Sequence, residues 1–356
     1  MEGRARVYID SLEKRGIIRK SMSTWRNPVR FVEKPNGDLR LCLNLIALID
    51  IVEKEKMHMK TINDVIRASF GSKLFTVIDL KEAFYSVEIA EKDKEKTAFE
   101  CLGRAYEFNG MVMGYKNAPM VLQRIMTREL DSWIGNGVEL YYDDILIHAK
   151  SKEQHDQILN GVLEILETNF FRININKMQL REQEVKMLGV IINGNSITPV
   201  EEQKKEIIEF KTPAKIKEVR QFYRKAGWFR NFIKDFSGKT VRLTQSLRVK
   251  SDKEWKWTAN MENEFIRLKD EIRDIKKLNI LDYNKEVVLR TDASNIGLGA
   301  VLMQKDSTGE LIPIQWASKK LTDTEKRYGI TEKEMLAVLW GMEKFEYELK
   351  GRRFVL

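Results

Sequence analysis

The chain has 356 residues, of which 43% are hydrophobic and 32% charged, with a formal net charge of +9; it is too long for one ordinary core and too apolar for a disordered chain, so two or three soluble, folded units are expected. The longest apolar stretch, Leu41 to Val52, is broken by Asn44 and Asp50 and falls well short of the roughly 20 residues that cross a bilayer. The start Met1-Glu2-Gly3-Arg4 offers no apolar leader and no myristoylation glycine, and two distant cysteines, Cys42 and Cys101, make neither a disulfide framework nor a zinc site, so the expected location is intracellular and not secreted.

Ala5 to Ile18 repeats apolar residues at helical spacing, and Pro28-Val29-Arg30-Phe31-Val32 then reads as a strand. Lys34-Pro35-Asn36-Gly37-Asp38 reads as a hairpin turn. Leu74-Phe75-Thr76-Val77-Ile78 is a short β-rich run ending in Asp79, and Val138 to His148 repeats the style after the turn Gly135-Asn136-Gly137, with an aspartate pair at its centre. Glu153 to Leu166 carries a helical stripe of Ile158, Val162, Ile165 and Leu166. After a break near Asn193-Gly194-Asn195-Ser196 helices dominate: Thr212-Pro213 fits an N-cap with proline in the first turn, and Ile216, Val219, Phe222, Tyr223 and Ala226 form a buried stripe. Beyond Trp257 another helix leads to a strand ending at Asp292, a glycine-rich strand pair and a long helix from Thr331, the order of a small α/β domain.

Residues 201–250 hold 14 Lys or Arg against 6 Asp or Glu, a surplus of eight, interleaved with Phe222, Tyr223, Trp228, Phe229, Phe232 and Phe236. A phosphate-tracking surface over an aromatic core and an ordinary solvated helix face fit that pattern equally.

Leu140-Tyr141-Tyr142-Asp143-Asp144-Ile145-Leu146-Ile147 is the most informative segment. Two adjacent carboxylates replace the glycine-rich pair a tight hairpin prefers, and their repulsion calls for a cation. Asp79 is a natural third ligand, and such hard oxygens suit the magnesium ions of phosphoryl transfer. Alternatively, Asp143 and Asp144 form an exposed polar turn and Asp79 caps a helix starting at Leu80. His148 and His155 fit no metal spacing, and His58 is equally uninformative.

Tyr141-Tyr142-Asp143-Asp144 resembles the Tyr-x-Asp-Asp signature of reverse transcriptases, and Thr76-Val77-Ile78-Asp79-Leu80-Lys81 the family's first carboxylate motif. Gly114-Tyr115-Lys116-Asn117-Ala118-Pro119 with Gln123-Arg124 is similar to the segment under the incoming nucleotide. Ile17-Ile18, Asn27-Pro28-Val29, Leu188-Gly189, Val219-Arg220-Gln221-Phe222 and Trp255-Lys256-Trp257-Thr258 extend the resemblance over nearly the whole chain, in the order of gypsy-like LTR retrotransposons. The resemblance implies an α+β right-hand polymerase, with fingers and palm over 1–195, a helical thumb and connection over 196–281, and an RNase H-like α/β domain over 282–356.

By the same resemblance, Asp79, Asp143 and Asp144 are the catalytic metal ligands, holding Mg2+ with Mn2+ as a substitute. Lys34 and Arg40 neutralise the triphosphate, Gln123 lies near the sugar, Tyr142 belongs to the nucleotide site, and Phe84 excludes a ribose 2′-hydroxyl, its plain alternative being a core aromatic. The implied partners are an RNA template, a DNA primer strand, an RNA–DNA hybrid and deoxynucleoside triphosphates, in a cytoplasmic particle or the nucleus.

Leu289-Arg290-Thr291-Asp292-Ala293-Ser294 resembles the first RNase H strand, making Asp292 one metal ligand and Glu334 a second, although Thr331 and Glu334 also read as a capping box. A Thr-Asp pair normally follows a strand like Phe354-Val355-Leu356, where this sequence stops, so weak or absent RNase H activity is expected. The fingers depart from the family: Leu43-Asn44-Leu45-Ile46-Ala47-Leu48-Ile49 replaces Val-Asp-Tyr-Arg-x-Leu-Asn, Met57-His58-Met59-Lys60 replaces a proline-rich stretch, and Tyr142 is bulkier than the usual aliphatic residue. The rival expectations are a non-catalytic nucleic-acid-binding remnant and a structural subunit of an active polymerase.

Overall fold

The computed structural model describes residues 2–33, 37–56, 60–249 and 255–356, which fall into two compact units, Met1–Ser69 with Lys73–Gln183 and Phe70–Ser72 with Glu184–Leu356. Lys34 and His58, and the centre of the expected turn at 34–38, lie outside the described residues.

The first unit opens with the helix Glu2–Lys14, which buries Ala5, Ile9 and Leu12 along one side. It ends sooner than its apolar spacing suggests because Gly16 turns the chain at φ 68, and Ile18 already begins the strand Ile18–Lys20. That strand pairs antiparallel with Arg104–Phe108, which pairs with Phe99–Cys101. The strands Val29–Glu33 and Leu39–Leu43 form a separate hairpin. The centre of the unit is an antiparallel sheet in the order Val138–Tyr141, Asp144–Ala149, Leu74–Asp79, Gln179–Glu182. Helices Ala118–Glu129 and Lys152–Thr168 cover it, their Leu122, Met126, Ile158 and Val162 packing with Ile78, Leu140, Ile145 and Ile147. In the second helix Gly161 admits Trp133: a Cβ there would sit 2.4 Å from the indole Cζ2.

The second unit begins with Val185–Met187, Val190–Ile192, Ser196–Pro199 and Leu278–Asn279, paired antiparallel in that order. Asn193-Gly194-Asn195-Ser196 is the turn of one of its hairpins, where Asn193 Oδ1 accepts the Asn195 and Ser196 amides. The three residues Phe70–Ser72 join this unit: Gly71 N–H donates to Gly194 O at 2.8 Å, and a Cβ on Gly194 would lie 2.2 Å from Ser72 O. Helices Ile216–Gly227 and Ala259–Arg273 then bury Val219, Phe222, Ala226, Phe265 and Leu268 in an aromatic-rich core. The expected stripe is therefore present, with Tyr223 half-buried, but Thr212 is not its cap. Lys215 holds the N-cap position, and the preceding chain is fixed instead by Ala214 N–H donating to Glu218 at 2.7 Å. Ile216 to Gly227 leaves Lys217, Arg220 and Arg224 exposed at helical spacing.

The last sheet runs Leu311–Lys320, Gly297–Lys305, Val287–Ala293, Phe354–Val355, the final pair parallel. Helix Ile330–Lys344 packs on it through Gly341, where a Cβ would stand 2.9 Å from Thr291 Cγ2 and 3.4 Å from Ala300 Cβ.

Candidate active site

The strand Leu74–Asp79 is flanked on both sides, and Phe75, Thr76, Val77 and Ile78 are all buried. This near-continuous apolar run fixes the backbone and delivers Asp79 at its end, directly opposite Asp144. Asp144 in turn pairs with Tyr141, so the two turn residues are Tyr142 and Asp143. The hairpin therefore turns one residue earlier than the sequence suggests: only Asp143 is in the turn, while Asp144 opens the next strand. The reason is register, since pairing Ile78 with Ile145 and Leu140 with Ile145 keeps Ile78, Leu140, Ile145 and Ile147 in one core.

Tyr142 adopts φ 57, a left-handed conformation costly for a side chain of this size. Its amide donates to Gln123 Oε1 at 2.9 Å, and its ring meets Tyr141 edge-on at 5.0 Å. Leu80 N–H donates to Asp143 O at 3.2 Å, tying the turn to the end of the Asp79 strand. No helix begins at Leu80, so Asp79 caps nothing. Its carboxylate accepts Asn174 Nδ2 and Lys177 Nζ, each at 3.0 Å, and its carbonyl accepts the Asn174 amide at 2.9 Å. Neither Asn174 nor Lys177 was singled out by the sequence; they lie 95 and 98 positions from Asp79, and nothing local in Arg172-Ile173-Asn174-Ile175-Asn176-Lys177 points to that strand.

Burial, then the negative charges of Asp143 and Asp79, push the Asp144 carboxyl up to about 6, against a smaller opposing effect of Lys177. Among the described residues no group of three or more His, Cys, Asp or Glu side chains stands ready to hold a metal ion; the Asp79 carboxylate is paired with the Lys177 ammonium.

Gln123 is only 7% exposed and sits beneath the turn. Phe84 lies in a short 3-10 segment, Ala83–Ser86, entered through Glu82 at φ 56, and packs half-buried against the core that holds Ile78 and Leu140. Arg40 is exposed on the separate hairpin, opposite Val32 and next to Leu41, which belongs to a different core. His148 and His155 are buried, His155 Nε2 lying 3.0 Å from Thr76 Oγ1.

In the second unit Asp292 is exposed on Val287–Ala293, opposite Gly299, beside a cavity of about 510 Å³ that Arg290, Lys234 and Trp316 also line. Glu334 is exposed on Ile330–Lys344. It is not the capping residue: the helix starts one residue earlier than Thr331, Gly329 holds the N-cap, and Glu332 accepts the Gly329 amide at 2.7 Å. The adjacent Lys333 is buried and donates to Asn295 Oδ1 at 3.1 Å.

Residues 18–192 match the family model "Reverse transcriptase (RNA-dependent DNA polymerase)", and residues 257–356 match "RNase H-like domain found in reverse transcriptase". The chain is 32% identical over 340 residues to the Transposon Tf2-3 polyprotein of Schizosaccharomyces pombe, covering 95% of this chain and 25% of the relative, and 31% identical over the same length to the Tf2-7 polyprotein. It thus spans about a quarter of these relatives. Among solved structures, a foamy viral protease-reverse transcriptase dRH in complex with double-stranded DNA superposes with a TM-score of 0.89 at 23% identity, over 99% of this chain and 62% of that one. The foamy viral protease-reverse transcriptase in complex with an RNA/DNA hybrid gives 0.83 at 22% identity, over 99% and 47%.

Fold and carboxylate strand ends together define a right-hand polymerase followed by an RNase H-like α/β domain. The chain belongs to the reverse transcriptases, and over 340 residues it is similar to the polyproteins of retrotransposons.

Proposed function

We propose that this chain is an RNA-directed DNA polymerase that extends a DNA primer on an RNA template with deoxynucleotides, using Asp79, Asp143 and Asp144. The observation that carries the proposal is the strand register setting Asp79 against Asp144, with Asp143 in the adjoining turn. The donor set fits divalent cations: all three groups offer hard carboxylate oxygens, and burial together with the charges of Asp143 and Asp79 raises the Asp144 carboxyl to about 6, a penalty that a bound cation would relieve. Two Mg2+ ions there, or Mn2+ in their place, would stabilise the attacking 3′-hydroxyl oxygen and the leaving pyrophosphate oxygen. Asp79 and Asp143 would hold them, with Asp144 beside, once Lys177 gives way.

Arg40, on the fingers hairpin, together with Lys34 would neutralise the triphosphate, and the Tyr142 turn would border the nucleotide. Phe84, anchored by the palm core at its base, would close the space a ribose 2′-hydroxyl needs. The exposed Lys217, Arg220 and Arg224 would follow the phosphates of the primer–template, giving sequence-tolerant, salt-sensitive binding. The foamy viral structures with double-stranded DNA and RNA/DNA hybrid name the same two kinds of duplex. In the RNase H-like domain, Asp292 and Glu334 would supply two of the carboxylates that two-metal hydrolysis of a hybrid strand needs.

The test is primer extension on an RNA template with magnesium and deoxynucleotides, comparing folded wild type with Asp143→Asn. Extension by the wild type alone supports the proposal. Duplex binding without extension by either protein would replace it with the non-catalytic remnant.

A further inference from the structure

Gln123 is a buried side chain whose hydrogen bond reaches into the turn between the carboxylates. It projects from Ala118–Glu129 between Leu122 and Met126, both fully buried, and its Nε2 lies 3.4 Å from Thr127 Oγ1 while its Oε1 accepts the Tyr142 amide. The carbonyl is thus spent on the turn. Tyr142 in turn holds a backbone conformation that a glycine adopts freely and a residue with a Cβ resists. A tight turn with positive φ at its first position ordinarily carries glycine there, so something outside the turn must hold this one. Asp143 follows immediately, and its carbonyl is bonded to Leu80, next to Asp79.

We propose that Gln123 is a positioning residue: by accepting the Tyr142 amide it clamps the strained turn, and so fixes Asp143 and Asp144 relative to Asp79. This rests on the polymerase reading above, and it replaces the sugar contact that the family resemblance implies for Gln123. A clamp acts on the geometry of the reacting centre and should change kcat; a contact to the nucleotide's sugar should change the nucleotide KM.

The experiment is a double-mutant cycle in the full chain. Gln123→Met keeps length and burial but removes the acceptor, and is expected to lower kcat about tenfold, as befits one lost hydrogen bond to a half-buried amide, with nucleotide KM within about twofold. In a Tyr142→Gly background the turn needs no clamp, and the same Gln123→Met change should cost less than about threefold. A raised KM with unchanged kcat, or an equal loss in both backgrounds, overturns the clamp. Should Gln123→Met not fold, hydrogen exchange of the wild-type Tyr142 amide decides: protection supports the clamp, and exchange at open-loop rates overturns it. Wild type that extends no primer would defeat the polymerase reading, while the exchange measurement would still decide the clamp.

Discussion

Replacing Asp144 with asparagine should stabilise the metal-free protein while removing its polymerase activity. Holding this carboxyl at about 6 rather than 3.8 corresponds to about 3 kcal/mol of disfavoured ionisation at neutral pH, or about 2 kcal/mol once water's access to the half-buried group is allowed for. The sign follows from the raised value. Below the unfolded carboxyl's 3.8 the folded protein bears no penalty; the penalty grows as pH rises toward 6 and is complete above it. Asp144→Asn has the same shape and no charge, so its advantage should be absent near pH 3.5 and full at pH 7.5. For a unit of this size about 2 kcal/mol raises the melting temperature by roughly 4–8 °C. Thermal unfolding in EDTA at both pH values measures it, and adding magnesium at pH 7.5 should shrink the difference, because a bound cation offsets the charge that asparagine lacks. An equal gain at both pH values, or none at pH 7.5, would refute the electrostatic argument.

Reversing Lys217, Arg220 and Arg224 together to glutamate should weaken duplex binding for all sequences and flatten the dependence of log affinity on log salt by roughly 2–3, at about 0.9 per phosphate contact; anisotropy between 50 and 200 mM salt (roughly the range where such slopes are read) checks it, and an unchanged slope would remove the stripe from the interface. Gly161→Ala gains up to about 1 kcal/mol of helix propensity but drives a methyl into Trp133, with an overpacking cost of about 1–3 kcal/mol. Urea unfolding should therefore show a net loss of stability, and a gain would mean the indole relaxes freely.

The carboxylates were legible because each ends a run whose composition dictates a buried strand: Leu74-Phe75-Thr76-Val77-Ile78 before Asp79, and Leu140-Tyr141 with Ile145-Leu146-Ile147 around the pair. The position of the turn was not, because register is decided by pairing with a strand more than 60 residues away (of the order of a whole supersecondary unit), and neighbouring residues carry no record of it. The same holds for Asn174 and Lys177, whose partnership with Asp79 exists only once Gln179–Glu182 pairs with Leu74–Asp79. Helix stripes such as Ile216, Val219, Phe222 and Ala226 survive from sequence to structure, whereas both proposed caps, Thr212 and the Thr331–Glu334 box, slipped. Stripes sum over several turns of helix; a cap is a single choice among nearby polar groups.

Phe70–Ser72 belongs to the second unit although the chain around it belongs to the first. The boundary between Gln183 and Glu184 is therefore not a seam along which the polypeptide can be exchanged. A recombination event there would bring in a new partner for Gly71 and Ser72 without bringing the residues that fit it, and Gly194 tolerates no side chain at that approach. A chain that received everything after Gln183 from elsewhere would inherit a mismatch of three residues located more than a hundred positions upstream, so substitutions in Phe70–Ser72 are expected to track those around Gly194.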